Sequence, residues 1–211
     1  MRIKWFSLIR ITGLLLVLLY HFFQTIFPGG FFGVDVFFTF SGFLITSLLL
    51  EEFGKKRQID LLGFFKRRFY RIVPPVVLVV LVTMPFTFLV RQDYVAGIGG
   101  QIAGVLGFMT NFYELLTGGS YESQFIPHLF VHNWSLAVEV HYYILWGLAV
   151  WFLSKQSKSN GQLKGMVFLL SATAFLISFF SMFIGSLMAS SYSTVYFSSL
   201  THVYPFFLGS I

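Results

Sequence analysis

From Ile9 to Phe27 the chain runs for about the width of a bilayer with Arg10 as its one full charge, and such runs recur along its length. The second spans Val34 to Leu50, the third Pro74 to Val90 and the fourth Tyr94 to Leu116. The fifth spans Trp134 to Leu153 and the sixth Met166 to Met188, and a seventh begins near Leu200. A helix of about 20 apolar residues crosses the hydrocarbon core, because it satisfies all its backbone hydrogen bonds internally. The first run is too long for a signal-peptide core and has no small-residue cleavage site behind it. The fold class expected is all-α: a polytopic transmembrane bundle of six to seven helices, with residues 1–211 as one domain.

Composition excludes the alternatives. Charged residues make up 10% of the chain and hydrophobic ones 56%, against roughly 25% charged in a soluble domain. Such a chain has too little polar surface to cover a globule, so lipid must cover it. The net charge of +6 does not indicate nucleic-acid binding, because the basic residues sit between apolar runs, where cytoplasmic loops gather Lys and Arg. No cysteine is present, which removes disulfide and thiolate chemistry.

Arg2, Lys4 and Arg10 place the N-terminus on the cytoplasmic side. The densest basic segment, Lys55 to Arg71, follows two crossings and falls on that side as well. Pro74-Pro75 suits the first turn of the third helix, where a missing N–H costs nothing. Counting every run as a crossing then puts the Lys155–Lys164 loop outside, against the positive-inside tendency. A Gly-rich fourth run that re-enters without crossing would remove the conflict. The simpler account is that three lysines are too weak a bias, and this is the expectation carried forward.

Ionisable groups inside membrane segments are costly and serve as functional candidates. Arg10 and His21 are eleven residues apart, within about 20° of whole turns, so they share a helix face about 16 Å apart along the axis. A neutral imidazole at that depth is suited to act as a general base for a hydroxyl. Its structural alternative is an interhelical hydrogen bond. Ser135 and Glu139 share a face by i, i+4 spacing. The alternative there is a helix start capped by Asn133 or Ser135. Arg68 and Arg71 share a face by i, i+3 spacing and suit a phosphate, or else they anchor the chain to anionic lipid. Asp35 fits a carboxylate favoured by the helix dipole. His128, His141 and His202 show no metal-site spacing, and no nucleotide-binding or zinc motif is present.

Four segments in order resemble the acyltransferase 3 family of membrane acyltransferases. They are Arg10 with ten intervening residues before His21, Pro28–Phe38 continuing through Ser41-Gly-Phe-Leu-Ile-Thr46, Phe65–Pro74 with its Arg-x-x-Arg, and His132-Asn-Trp-Ser-Leu-Ala-Val-Glu139. Within that family the look is nearest to bacterial peptidoglycan O-acetyltransferases. The resemblance implies transfer of an acetyl group from cytoplasmic acyl-CoA to a hydroxyl of a cell-envelope glycan, foremost muramic acid, in a bacterial plasma membrane. It assigns His21 as base or acyl relay, with Glu139 and Ser135 beside it and Arg68 and Arg71 as coenzyme A contacts. Arg10 joins that donor-binding set, and no metal is implied. Two departures stand out. Ser7-Leu-Ile-Arg10 lacks the acidic residue the family usually has there. Val140-His141-Tyr142 replaces the family's usual Glu-Gln-Phe after Glu139. Family members have about ten helices, and some add an extracytoplasmic domain, so this chain is expected to be the front part of such a bundle. The competing readings are a transporter or channel lined by His21 and Glu139, and a non-catalytic truncated product.

Overall fold

A computed structural model describes residues 4–23, 25–89, 95–117, 128–189 and 191–211. These residues form an all-helical bundle with no strand among them. The long elements are α1 (Lys4–Phe22), α2 (Phe32–Lys56), α3 (Leu61–Thr83), α6 (Trp134–Gln156) and α7 (Asn160–Met188). Two short helices, α4 (Ile98–Leu106) and α5 (Thr110–Thr117), stand between α3 and α6, and α8 (Tyr192–Tyr196) and α9 (Tyr204–Ser210) close the chain. Four helical stretches, headed by α2, α3, α6 and α7, are long and apolar enough to cross a membrane, and α1 is a shorter apolar helix. The outward faces of α3 and α7 expose large apolar side chains such as Leu78, Leu81, Leu169 and Ile177, as a lipid-facing surface should.

Lipid tails are as apolar as leucine, so these helices associate through close packing and polar contacts rather than by escaping water. Glycine makes the close approaches possible. A Cβ on Gly33 would lie 2.6 Å from the Gly13 carbonyl oxygen, so α1 and α2 meet backbone to backbone. A Cβ on Gly42 would lie 1.9 Å from the Phe206 carbonyl oxygen, where α9 crosses α2. Ile45, Leu49, Val138, Val150 and Phe206 fill the space between α2, α6 and α9. Trp146 Nε1 donates to Thr46 Oγ1 at 2.8 Å and ties α6 to α2.

Several boundaries differ from the sequence expectation. Helix α1 stops at Phe22, short of Phe27, and the Pro28–Phe31 segment forms a 3-10 turn. Helix α3 begins at Leu61, well before the prolines, because Asp60 caps it by accepting from the Gly63 N–H at 2.9 Å. Pro74 and Pro75 therefore lie inside α3 and deprive the Tyr70 and Arg71 carbonyls of their usual i+4 donors. The last helix starts at Tyr204 rather than near Leu200. The polar break Arg91–Asp93 lies outside the described residues.

The fourth run corrects the topology. It is two helices of 9 and 8 residues, each about 12–14 Å long and too short to cross. They are separated by Gly107 and by Phe108, whose φ is +53°. The ends of the bundle agree. Arg57 donates to the Lys158 carbonyl at 3.1 Å, and Gly54 packs against Asn160, so the Lys55–Arg57 and Lys155–Lys158 segments share one end. His21 on α1 meets His132, just before α6, at the other end. A non-crossing α4–α5 pair lets both basic segments lie together. The expectation that the fourth run crosses and that the lysine bias can be ignored is overturned.

Candidate active site

The histidine end holds a cavity of about 500 Å³ whose lining includes Val17, His21, Phe38, His132, Ser135 and Glu139. The last turn of α1 supplies His21, and the start of α6 supplies the polar side chains facing it. His21 Nδ1 lies 2.7 Å from the Val17 carbonyl oxygen. A carbonyl only accepts, so Nδ1 carries the proton and Nε2 is the basic nitrogen. The His21 and His132 rings stand edge to face with centroids 4.6 Å apart. Two imidazoles thus share one wall of the cavity.

Nearer the basic end lies a second cavity of about 280 Å³, lined among others by Arg10, Ser41, Arg68, Arg71, Glu139 and Tyr143. Arg10 sits over the Phe40 ring at 4.8 Å. Arg68 sits 5.6 Å from the centroids of both Phe64 and Tyr143. Its Nε is buried with no hydrogen-bond partner among the described residues. Such an orphaned donor is costly unless a ligand or ion completes it. Three guanidinium groups face this space against one carboxylate, so the donor set fits an anion such as a phosphate.

Glu139 lies where the two cavities meet and lines both. Ser41 of α2 and Tyr143, one turn further along α6, both donate to Glu139 Oε1. Tyr143 OH also lies 3.2 Å from Ser41 Oγ. The carboxylate is therefore held in one orientation by two hydroxyls on two helices.

Arg10, His21, Arg68, Arg71, Ser135 and Glu139 each line at least one of these cavities, and Asp35 lines neither. Arg10 and His21 do share a face of α1, yet they open into different cavities. Ser135 and Glu139 line the same one, without a hydrogen bond between them among the described residues. The capping alternative fails at this point, because Asn133 makes no side-chain cap. Asn133 Nδ2 donates to the Phe130 carbonyl at 3.4 Å, and Ser135 Oγ to the His132 carbonyl at 3.5 Å. Ser41, Tyr143 and His132 had been given no role of their own. Tyr143 was findable by its i, i+4 spacing from Glu139, whereas Ser41, though part of a family-like segment, is 98 residues away and no spacing links it to Glu139.

Glu114 and His128 form a polar pair away from these cavities. Glu114 is 1% exposed, and His128 Nδ1 lies 2.8 Å from its Oε2, which ties α5 to the segment before α6. Burial pushes the Glu114 carboxyl above the ordinary range, and its bond to His128 opposes that rise. Among the described residues no three His, Asp or Glu side chains converge as a metal site.

Two polar cavities, one lined by arginines and one by imidazoles, thus meet at Glu139 inside a helical bundle, and comparison with known sequences supplies the family. The chain belongs to the acyltransferase domain family known as acyltransferase 3, whose family model matches residues 3–211. It is 32% identical over 203 residues to the O-acetyltransferase OatA of Staphylococcus aureus (strain NCTC 8325 / PS 47). It is 31% identical to the putative O-acetyltransferase SACOL0978 of Staphylococcus aureus (strain COL). Each alignment takes in 96% of this chain and 33% of the relative, so the chain spans about a third of the length of these relatives. No solved structure matches it.

Proposed function

We propose that this chain is the membrane-embedded part of an acetyltransferase that moves an acetyl group from cytoplasmic acyl-CoA to a hydroxyl of a cell-envelope glycan, foremost peptidoglycan muramic acid. The observation that carries the reading is that Glu139 lines both the arginine cavity and the histidine cavity. In this reading the basic end faces the cytoplasm of a bacterial plasma membrane, as the positive-inside tendency favours. Arg10, Arg68 and Arg71 hold the phosphates of the donor. The acceptor hydroxyl enters at the histidine end. His21 Nε2 takes its proton as the oxygen attacks the thioester carbon. The C–O bond forms, the C–S bond breaks, and the departing thiolate takes from His21 Nε2 the proton that the hydroxyl gave up, which restores the neutral imidazole. Glu139 faces the positive charge that develops on the imidazole, and Ser135 lines the acceptor side. The remaining length of such relatives would add further helices or an extracytoplasmic domain around this core.

The test is release of base-labile acetate from cell walls carrying the full reading frame. His21→Ala should abolish the acetate while the protein level holds. Acetate retained at the wild-type level would sink the proposal. Proton uptake by proteoliposomes without any acyl donor would favour a transporter instead.

A further inference from the structure

Asp35 and His202 lie 167 positions apart and form a pair that the proposed chemistry does not use. His202 Nε2 is 2.8 Å from Asp35 Oδ1, and Nδ1 is 2.9 Å from the Tyr196 carbonyl oxygen. The ring is 2% exposed. A backbone carbonyl and a carboxylate thus flank the two ring nitrogens and fix the plane of the imidazole. Burying such a group is costly unless it is fully partnered, and here every polar atom of the ring has a partner.

Around the ring stand aromatic side chains from three parts of the chain. The Trp134 indole stacks on it at 5.2 Å with 29° between planes, and the Tyr196 ring lies 4.3 Å away. Phe38 meets it edge-on at 5.9 Å. The Trp134 side chain is 1% exposed, opens α6 and lines the histidine cavity. It stands two residues after His132 and one before Ser135. Val34, beside Asp35, lines the same cavity.

We propose that Asp35 and His202 are positioning residues: their hydrogen-bonded pair locks Trp134, and through it sets the wall that carries His132 and Ser135 against His21. This rests on the functional reading above. The helix dipole explains a carboxylate in the first turn of α2, but it does not explain a dedicated buried partner stacked on a cavity wall.

The experiment uses the full reading frame in membranes with acetyl-CoA and a muramic-acid glycan. Asp35→Asn and His202→Gln should each lower kcat about tenfold or more, since small misplacements of reacting groups are expensive. The donor KM should stay within about twofold, because the arginine cavity is untouched. Trp134→Leu should lower kcat similarly, and adding Asp35→Asn to it should cost nothing further, since the two act in series. Additive losses, a matching rise in KM, or unchanged kcat at the wild-type protein level would each overturn the proposal. So would failure of both single variants to accumulate, which would mark the pair as purely structural. A donor-independent readout separates this from failure of the functional reading. Modification of His132 by diethyl pyrocarbonate, located by mass spectrometry, should quicken at least about threefold in Asp35→Asn. If no transfer occurs in wild type yet His132 responds this way, the functional reading has failed and the positioning stands. An unchanged His132 rate overturns the positioning.

Discussion

The two cavities that meet at Glu139 are built from opposite chemistry. The one at the histidine end is larger, mostly apolar, and has neutral-capable imidazoles as its main polar groups. The one toward the basic end is smaller and carries three arginines and two hydroxyls around a single carboxylate. Arginine is always charged, so the second space is electrostatically fixed. An imidazole ring carries one nitrogen that donates and one that accepts, so the first space has groups able to pass a proton. One space is suited to hold an anion and the other to move a proton. In the proposed mechanism that difference divides donor from acceptor.

The comparison breaks most visibly at His21. His21→Ala should lower acetyl transfer by about a hundredfold or more, the usual size of a lost general base. Binding of labelled acetyl-CoA to the membranes should stay unchanged. Arg68→Gln should do the reverse. Loss of a charge-assisted contact is worth about 1.5–3 kcal/mol, so the donor KM should rise roughly ten- to a hundredfold with a smaller change in kcat. If Arg68→Gln altered only acceptor dependence, the assignment of the two cavities would be wrong. Tyr143→Phe removes one hydroxyl from Glu139 and leaves Ser41 in place. Its cost should be about tenfold in kcat, the lower end for a hydrogen bond to a charged group, because the Ser41 bond remains. Lys55→Ala sharpens the comparison from outside. Lys55 pairs with Glu51 at 2.6 Å on the exposed surface, and such pairs contribute little. Transfer and protein level should both stay at the wild-type value, which shows that charge at the basic end matters only within the cavity.

The helices were legible because their apolar runs are long and local. The start of α3 was not, because Pro74-Pro75 is a stronger signal than a single Asp60 cap fourteen residues upstream of it. The split of the fourth run turned on Phe108 in a left-handed conformation, which a non-glycine residue does not announce. Local spacing put Arg10 with His21 and Ser135 with Glu139 on shared faces. It gave no view of contacts across helices. Ser41 reaches Glu139, and Asp35 reaches His202, only because α2 packs against α6 and α9 through glycines such as Gly42. The side-by-side placement of the Arg57 and Lys158 segments likewise depends on the whole bundle.

Glu139→Gln is the most direct test, because Glu139 is the one ionisable residue among those described that lines both cavities. The measurement is donor binding and acetyl transfer in the same membranes carrying the full reading frame. Labelled acetyl-CoA should bind as in wild type, with transfer to the glycan reduced about a hundredfold or more. Transfer at the wild-type rate, with the protein at its normal level, would contradict it.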